Sequence, residues 1–174
     1  MPTSLPPGWL PPERFVPTLP HGLACAGLLF TDAAGRMLAL RSVRGPDQYV
    51  LPGGFLEEGE DLLACALRET VEELGFLPAA ARAAAEPPLL VLAWSAPERH
   101  WPWRMAAFFD GGVITEAETA RIVLDPVEHD GFALRPAEEL VALADTRRGR
   151  VLRAVAEARR TGRPVYLTLP PNDS

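Results

Sequence analysis

Glu69, Glu72 and Glu73 fall within five residues at the end of the stretch Gly59–Phe76, GEDLLACALRETVEELGF. The stretch reads as a helix stopped at Gly75, which makes the crowding costly. Like charges at i,i+4, as at Glu69 and Glu73, oppose a helix by roughly 0.2–0.5 kcal/mol. Each anion near the negative C-terminal end of the helix dipole costs roughly 0.3–1 kcal/mol more. Stepping about 100° per residue gathers Leu63, Leu67, Val71 and Leu74 on one face and the three glutamates on the other. One face then packs on a sheet, while the other holds carboxylates close enough to share divalent cations, which would neutralise the repulsion. Hard cations such as Mg²⁺ take oxygen ligands and typically bridge a few carboxylates to substrate phosphates. The chemistry implied is metal-assisted phosphoryl transfer or hydrolysis.

The elements that must position this helix are legible on either side. The apolar run Leu23–Asp32 and the run Arg36–Val43, separated by the turn AAG, read as a β-hairpin. A short strand, YVLPGGF, follows; Pro52, Gly53 and Gly54 break its ladder and hand the chain to the acidic helix. Leu89–Pro97 and Trp103–Ile114 read as a second antiparallel pair, and Phe132–Pro136 as a last short strand. A helical pattern then runs from Ala137 to Arg160 and ends at Gly162, before an extended PVYLTL. Strands interspersed with helices predict an α/β fold, a mixed sheet sandwiched between α-helices.

The 174 residues, 48% hydrophobic and 23% charged, describe one globular domain. Residues 1–20 hold seven prolines and read as an N-terminal arm; 21–168 form the domain and 169–174 a tail. With a net charge of −6, stable nucleic-acid binding is not expected. All 17 basic residues are arginine, which excludes a Walker-type phosphate loop and a lysine Schiff base. Cys25 and Cys65 lack metal-ligand spacing and read as buried thiols. No basic segment leads into an apolar run at the N-terminus and no membrane-length span follows, so a cytoplasmic protein without a membrane partner is expected.

Gly54, five residues, Glu60, seven residues, then RETVEELGF (Arg68–Phe76) together resemble the Nudix box. Every charged and glycine position of that pattern is filled; the one departure is Thr70 at a bulky apolar position, where its methyl still packs. The order of strands also resembles the family's sandwich over roughly residues 21–160. The resemblance implies a pyrophosphohydrolase dependent on Mg²⁺ or Mn²⁺, cleaving a diphosphate linkage in a nucleoside diphosphate derivative or a nucleoside triphosphate. It assigns Glu69, Glu72 and Glu73 to metal, with a backbone carbonyl of Gly53 or Gly54. Arg68 orients neighbouring carboxylates such as Glu72, and Glu60 supports. The alternative is a Nudix-like domain that binds a nucleotide-type ligand without turnover, although a pure binder has no need of three mutually repelling carboxylates.

Nudix proteins also recruit an acidic group from outside the box, as ligand or general base. Glu128 is the choice here, with Glu116, Glu118 and Asp130 behind it; His129 is a candidate to assist, although a lone loop histidine reads first as solvated. Trp103 and Arg104, in HWPWR, offer a stacking surface and a phosphate contact for a small-molecule nucleotide substrate, and Arg41 and Arg44 near the glycine loop further phosphate contacts. An intersubunit contact explains HWPWR equally well and leaves a homodimer open.

Overall fold

The most continuously apolar run of the chain becomes the middle of the sheet, as a strand buried on both faces requires. In the computed structural model, which describes residues 8, 10–44 and 49–171, β1 (Gly22–Thr31) runs parallel to β6 (Trp103–Val113) along its whole length. Its other edge takes β4 (Gly53–Phe55), antiparallel, through Cys25↔Phe55, Ala26↔Gly54 and Gly27↔Gly53. The turn after β1 forms as expected: Asp32 Oδ1 accepts from the N–H groups of Ala34 (3.0 Å) and Arg36 (2.8 Å). The hairpin does not. β2 (Met37–Ser42) meets β1 only at Thr31↔Met37, then diverges to pair with β7 (His129–Arg135) from Met37↔Arg135 to Ser42↔His129. A strand has two edges, and those of β1 are taken by β4 and β6.

β3 (Tyr49–Val50) adds to β2, β5 (Leu89–Ser95) pairs antiparallel with β6 as expected, and β8 (Val165–Leu169) closes the far edge parallel to β5. The order is β3-β2-β1-β6-β5-β8, with β4 beside β1 and β7 beside β2. β7 starts three residues before the predicted Phe132, and Leu169, placed in the tail, is the buried last residue of β8.

Alternation along β1 sends Leu28 and Phe30 to one face and Leu29 to the other. The first face packs on α2 (Leu62–Leu74), through Cys65, Ala66 and Leu74. The second packs on α5 (Ala137–Leu143) and α6 (Thr146–Thr161), through Leu140, Leu152, Val155 and Ala158. The mixed-sheet α/β/α sandwich is therefore as expected. The single helix predicted over Ala137–Arg160 breaks at Ala144, which is extended (φ −85°), because the side chain of Asp145 accepts from Arg148 N–H and starts a new helix. Three short helices, α1 (Pro12–Phe15), α3 (Ala79–Ala83) and α4 (Glu116–Thr119), complete the described elements. α1 buries no residue; residues 1–7, 9 and 172–174 of the expected arm and tail lie outside the described residues, as do 45–48 of the loop before β3. Among the described residues, no helix is long and apolar enough to cross a membrane.

Candidate active site

Local rules set the limits of α2. Asp61 caps its start, accepting from Ala64 N–H, and Gly75, at φ 80°, ends it in the left-handed conformation that glycine tolerates best. Its packing face differs from the expected stripe. Cys65, Ala66, Thr70, Glu73 and Leu74 are buried, while Val71 is 43% exposed. Small side chains at 65, 66 and 70 let the helix approach β1 closely, and this rotates Glu73 into the interior. Thr70, fully buried, donates its hydroxyl to Ala66 O (2.7 Å) and needs no other partner.

The three glutamates consequently divide into two groups, and protein groups already offset the repulsion that the sequence poses. Arg68 is the hub of the first. Its guanidinium donates to Glu60 Oε1 (2.7 Å) and Oε2 (3.1 Å), Glu69 Oε1 (2.9 Å), Glu72 Oε2 (2.9 Å) and the Phe55 carbonyl (3.0 Å). This paired geometry pins Glu60 to the start of the helix, and the Arg68 hydrogen bond holds the Glu60 carboxyl below the usual carboxylate range. Burial pushes Glu69 the other way, above that range, against the pull of Arg68. The Glu69 carboxylate lies so close to the backbone of Gly54 that any Cβ there would overlap it. Gly53, at φ 150°, is the more strictly required, because a Cβ there would strike the Ala26 carbonyl, a backbone group that cannot swing aside.

Glu73 forms the second group. Gly53 N–H donates to its Oε2 (2.7 Å), and His129 Nε2 lies 2.7 Å from its Oε1. Burial works to lower the pKa of His129, but the hydrogen bond and charge of Glu73, with the charge of Glu128, outweigh it and raise the pKa. Glu128, exposed at the end of the preceding loop, brings its carboxylate to this pair: the ligand atoms of Glu73, Glu128 and His129 all lie within 4.8 Å of one another. The buried Glu73 carboxylate and the exposed Glu128 carboxylate beside it offer hard oxygen donors of the kind a divalent cation takes, with the His129 nitrogen turned to Glu73.

The other acidic candidates are committed elsewhere. The Ala79 and Thr115 N–H groups hold the Glu118 carboxyl below its usual range, in the cap of α4. Glu116 faces a different hollow, beside Asp32 and Phe132, and Asp130 pairs with Arg41 (2.6 Å). Asp125 shapes the loop, its carbonyl accepting from the N–H groups of Glu128 (3.1 Å) and His129 (2.9 Å).

On the opposite side of β4 a cleft of about 450 Å³ opens, lined by Gly53, Gly54 and Phe55, by Cys25 and Phe108 of the sheet, and by Arg104, Arg147 and Arg148. β4 thus forms a wall shared by the glutamate cluster and the cleft. Arg104 enters this space as the sequence suggests, paired with Glu98 (2.8 Å), which also binds Arg147 (2.8 Å). Trp103 does not line the cleft; its indole lies over Gly22, where a side chain would collide with it. Trp101 does not line the cleft either but stands beside two residues that do, parallel to Phe55 (interplanar 9°, centroids 6.0 Å) and under the Arg104 guanidinium (5.1 Å). Arg41 and Arg44 do not line the cleft. Phe55 and Arg147 escape the sequence reading; Trp101 belongs to the HWPWR cluster singled out for stacking, and His129, adjacent to Glu128, reads there as solvated.

A mixed sheet between helices, with a glycine strand backing a glutamate helix, is the Nudix arrangement. The NUDIX domain family profile matches residues 21–155, and the chain belongs to that family. Solved structures agree on the fold. A MutT protein from Methanosarcina mazei Go1 is 19% identical with a TM-score of 0.60, over 80% of this chain and 94% of that one. A C. elegans Ap4A hydrolase is 21% identical with a TM-score of 0.58, over 80% and 98%. A UDP-X diphosphatase is 17% identical with a TM-score of 0.61, over 91% and 75%. Among curated proteins none matches the chain in sequence.

Proposed function

We propose that this chain hydrolyses a diphosphate linkage in a nucleoside diphosphate derivative or a nucleoside triphosphate, using Mg²⁺ or Mn²⁺. The single observation that carries the reading is the meeting of the buried Glu73 carboxylate with the exposed Glu128 carboxylate on one side of β4, while the cleft opens on the other. Glu69, Glu72 and Glu73, with a carbonyl of Gly53 or Gly54, would hold divalent ions. When bound, these supply Lewis-acid stabilisation of charge on the phosphoryl oxygens. Arg68, fixed by Glu60, keeps Glu69 and Glu72 at the same end of the helix, where they are pre-oriented and need no rearrangement. Glu128 is exposed and free of the Arg68 hub, and so is the carboxylate suited to take a proton from attacking water.

The largely apolar cleft suits the nucleoside. Phe55 and, beside it, Trp101 offer faces to a base, and Arg104 brings a cation within reach of phosphate. The kinship with the MutT protein, the Ap4A hydrolase and the UDP-X diphosphatase supports the reaction class and leaves the leaving group to experiment. Phosphate release, coupled to a phosphatase, from a panel of dinucleoside polyphosphates, nucleotide sugars, ADP-ribose and nucleoside triphosphates tests it. Mg²⁺-dependent turnover of at least one is expected. Tight binding of a panel member without turnover would identify a non-catalytic nucleotide-binding domain instead.

A further inference from the structure

We propose that His129 is a positioning residue for Glu73: by a proton on Nε2 it holds the carboxylate in the orientation from which Glu73 faces a cation, with Glu128 alongside as the base. The inference rests on the reading of Glu73 as a metal ligand, but it concerns a residue outside the glutamate helix.

Glu73 is anchored at both oxygens, by Gly53 N–H at Oε2 (2.7 Å) and by His129 Nε2 at Oε1 (2.7 Å). Two anchors on different oxygens fix the plane of the carboxylate and still leave each oxygen a second lone pair for a cation. Such anchoring matters here because Glu73 is only 3% exposed, and a carboxylate so deep pays a large desolvation cost unless hydrogen-bonded. Water cannot perform this task; a fixed donor can.

His129 is itself held firmly. It is 5% exposed, its N–H donates to the Asp125 carbonyl (2.9 Å), and it opens β7 opposite Ser42. Its Nδ1 is buried with no hydrogen-bond partner. An ionised carboxylate offers only acceptors, so the bond to Glu73 places a proton on Nε2. The ring then donates to Glu73 and acts only through it. Glu128, next to His129 in sequence, is delivered to the cluster by the same loop, so one segment supplies both the second carboxylate and the group that aims the first.

The test reads metal binding without substrate. Mn²⁺ affinity is measured calorimetrically for the full chain and for His129→Phe and His129→Gln, with Tm recorded in parallel. Losing the donor in His129→Phe is expected to weaken Mn²⁺ binding about 10–100-fold, while His129→Gln, whose amide N–H reaches the same oxygen, stays within about fivefold. His129→Phe within about threefold of wild type overturns the proposal; so does a folded His129→Gln as weak as His129→Phe, which would make the ring nitrogen itself a ligand. Should His129→Phe fail to fold, imidazole ¹⁵N spectra of the wild type decide: Nε2 keeps its proton on saturation with Mg²⁺, and losing it to the metal overturns the assignment. Turnover enters none of these readouts. An inactive chain that binds Mn²⁺ in the expected pattern sinks the hydrolase reading alone, and a catalyst whose Mn²⁺ binding ignores His129 sinks this one alone.

Discussion

α2 and α6 are built alike and used in opposite ways. Each starts at an aspartate cap, Asp61 or Asp145, ends at a left-handed glycine, Gly75 or Gly162, and packs on one face of the same sheet. α6 buries a stripe of Gly149, Leu152, Val155 and Ala158, and its arginines reach outward to partners that fasten the fold: Arg159 to Asp110 (2.8 Å), Arg147 to Glu98 (2.8 Å). α2 instead buries a carboxylate among its apolar residues and holds two more on a single arginine. Charge on α6 secures neighbouring elements. On α2 it is concentrated at a point where local helix energetics oppose it, the arrangement that the proposed metal site requires.

The largest contrast should come from changing charge on each helix in turn. Glu73→Gln is expected to lower kcat by about 10³-fold or more, the equivalent of several kcal/mol of lost charge stabilisation. Because Glu73 is buried between two donors, the same change should also lower metal-free stability by about 1–3 kcal/mol. The sequence alone suggests the reverse, a slight gain from relieved repulsion, so chemical denaturation with EDTA present decides whether the buried contacts or the repulsion dominate. Glu72→Gln, 57% exposed at its side chain, should lower activity while leaving that denaturation midpoint unchanged. Glu128→Gln should reduce kcat by about 10²–10⁴-fold with little change in KM, the general-base signature in steady-state kinetics.

Arg159→Leu on α6 should behave oppositely. Losing a partly buried partner of Asp110 is expected to cost about 1–3 kcal/mol in urea unfolding while kcat below the transition stays within about twofold of wild type. A tenfold fall in kcat would mean the α6 face is not merely structural. Beside the cleft, Trp101→Ala should raise KM up to about tenfold at constant kcat, the size of one stacking contact. An unchanged KM would move the base elsewhere.

The last expected effect is on thiol reactivity rather than on turnover or stability. Burial first, then the neighbouring Cys65 and Glu69, push the Cys25 thiol up to about 11, with Arg104 opposing. Above its ordinary value the thiol stays protonated through neutral pH, so alkylation by iodoacetamide at pH 8 should run about 10²-fold slower than for an ordinary cysteine. The rate should rise about tenfold per pH unit towards 11, as followed by mass spectrometry of the Cys25 peptide.

Local patterns determined a good deal. The spacing from Gly54 to Phe76, the breaks at Pro52–Gly54, the stops at Gly75 and Gly162 and the apolar strand runs depend on residues a few positions apart, and the sequence by itself shows them, together with the family and the layered α/β/α class. Partnership was decided only in three dimensions. β1 and β2 look like a hairpin until β4 and β6 compete for the edges of β1. Val71 and Glu73 exchange the faces that large apolar side chains imply, because the small residues of α2 set how closely it sits on the sheet. Trp101 rather than Trp103 stands beside Phe55 of the cleft, since strand register assigns Trp103 to Gly22. His129 meets Glu73 across 56 residues of sequence, through a loop that Asp125 shapes and a strand that β2 aligns. Periodicity tells what one element prefers; which elements meet, and which polar groups are then buried together, follows from competition among them for edges and for the core.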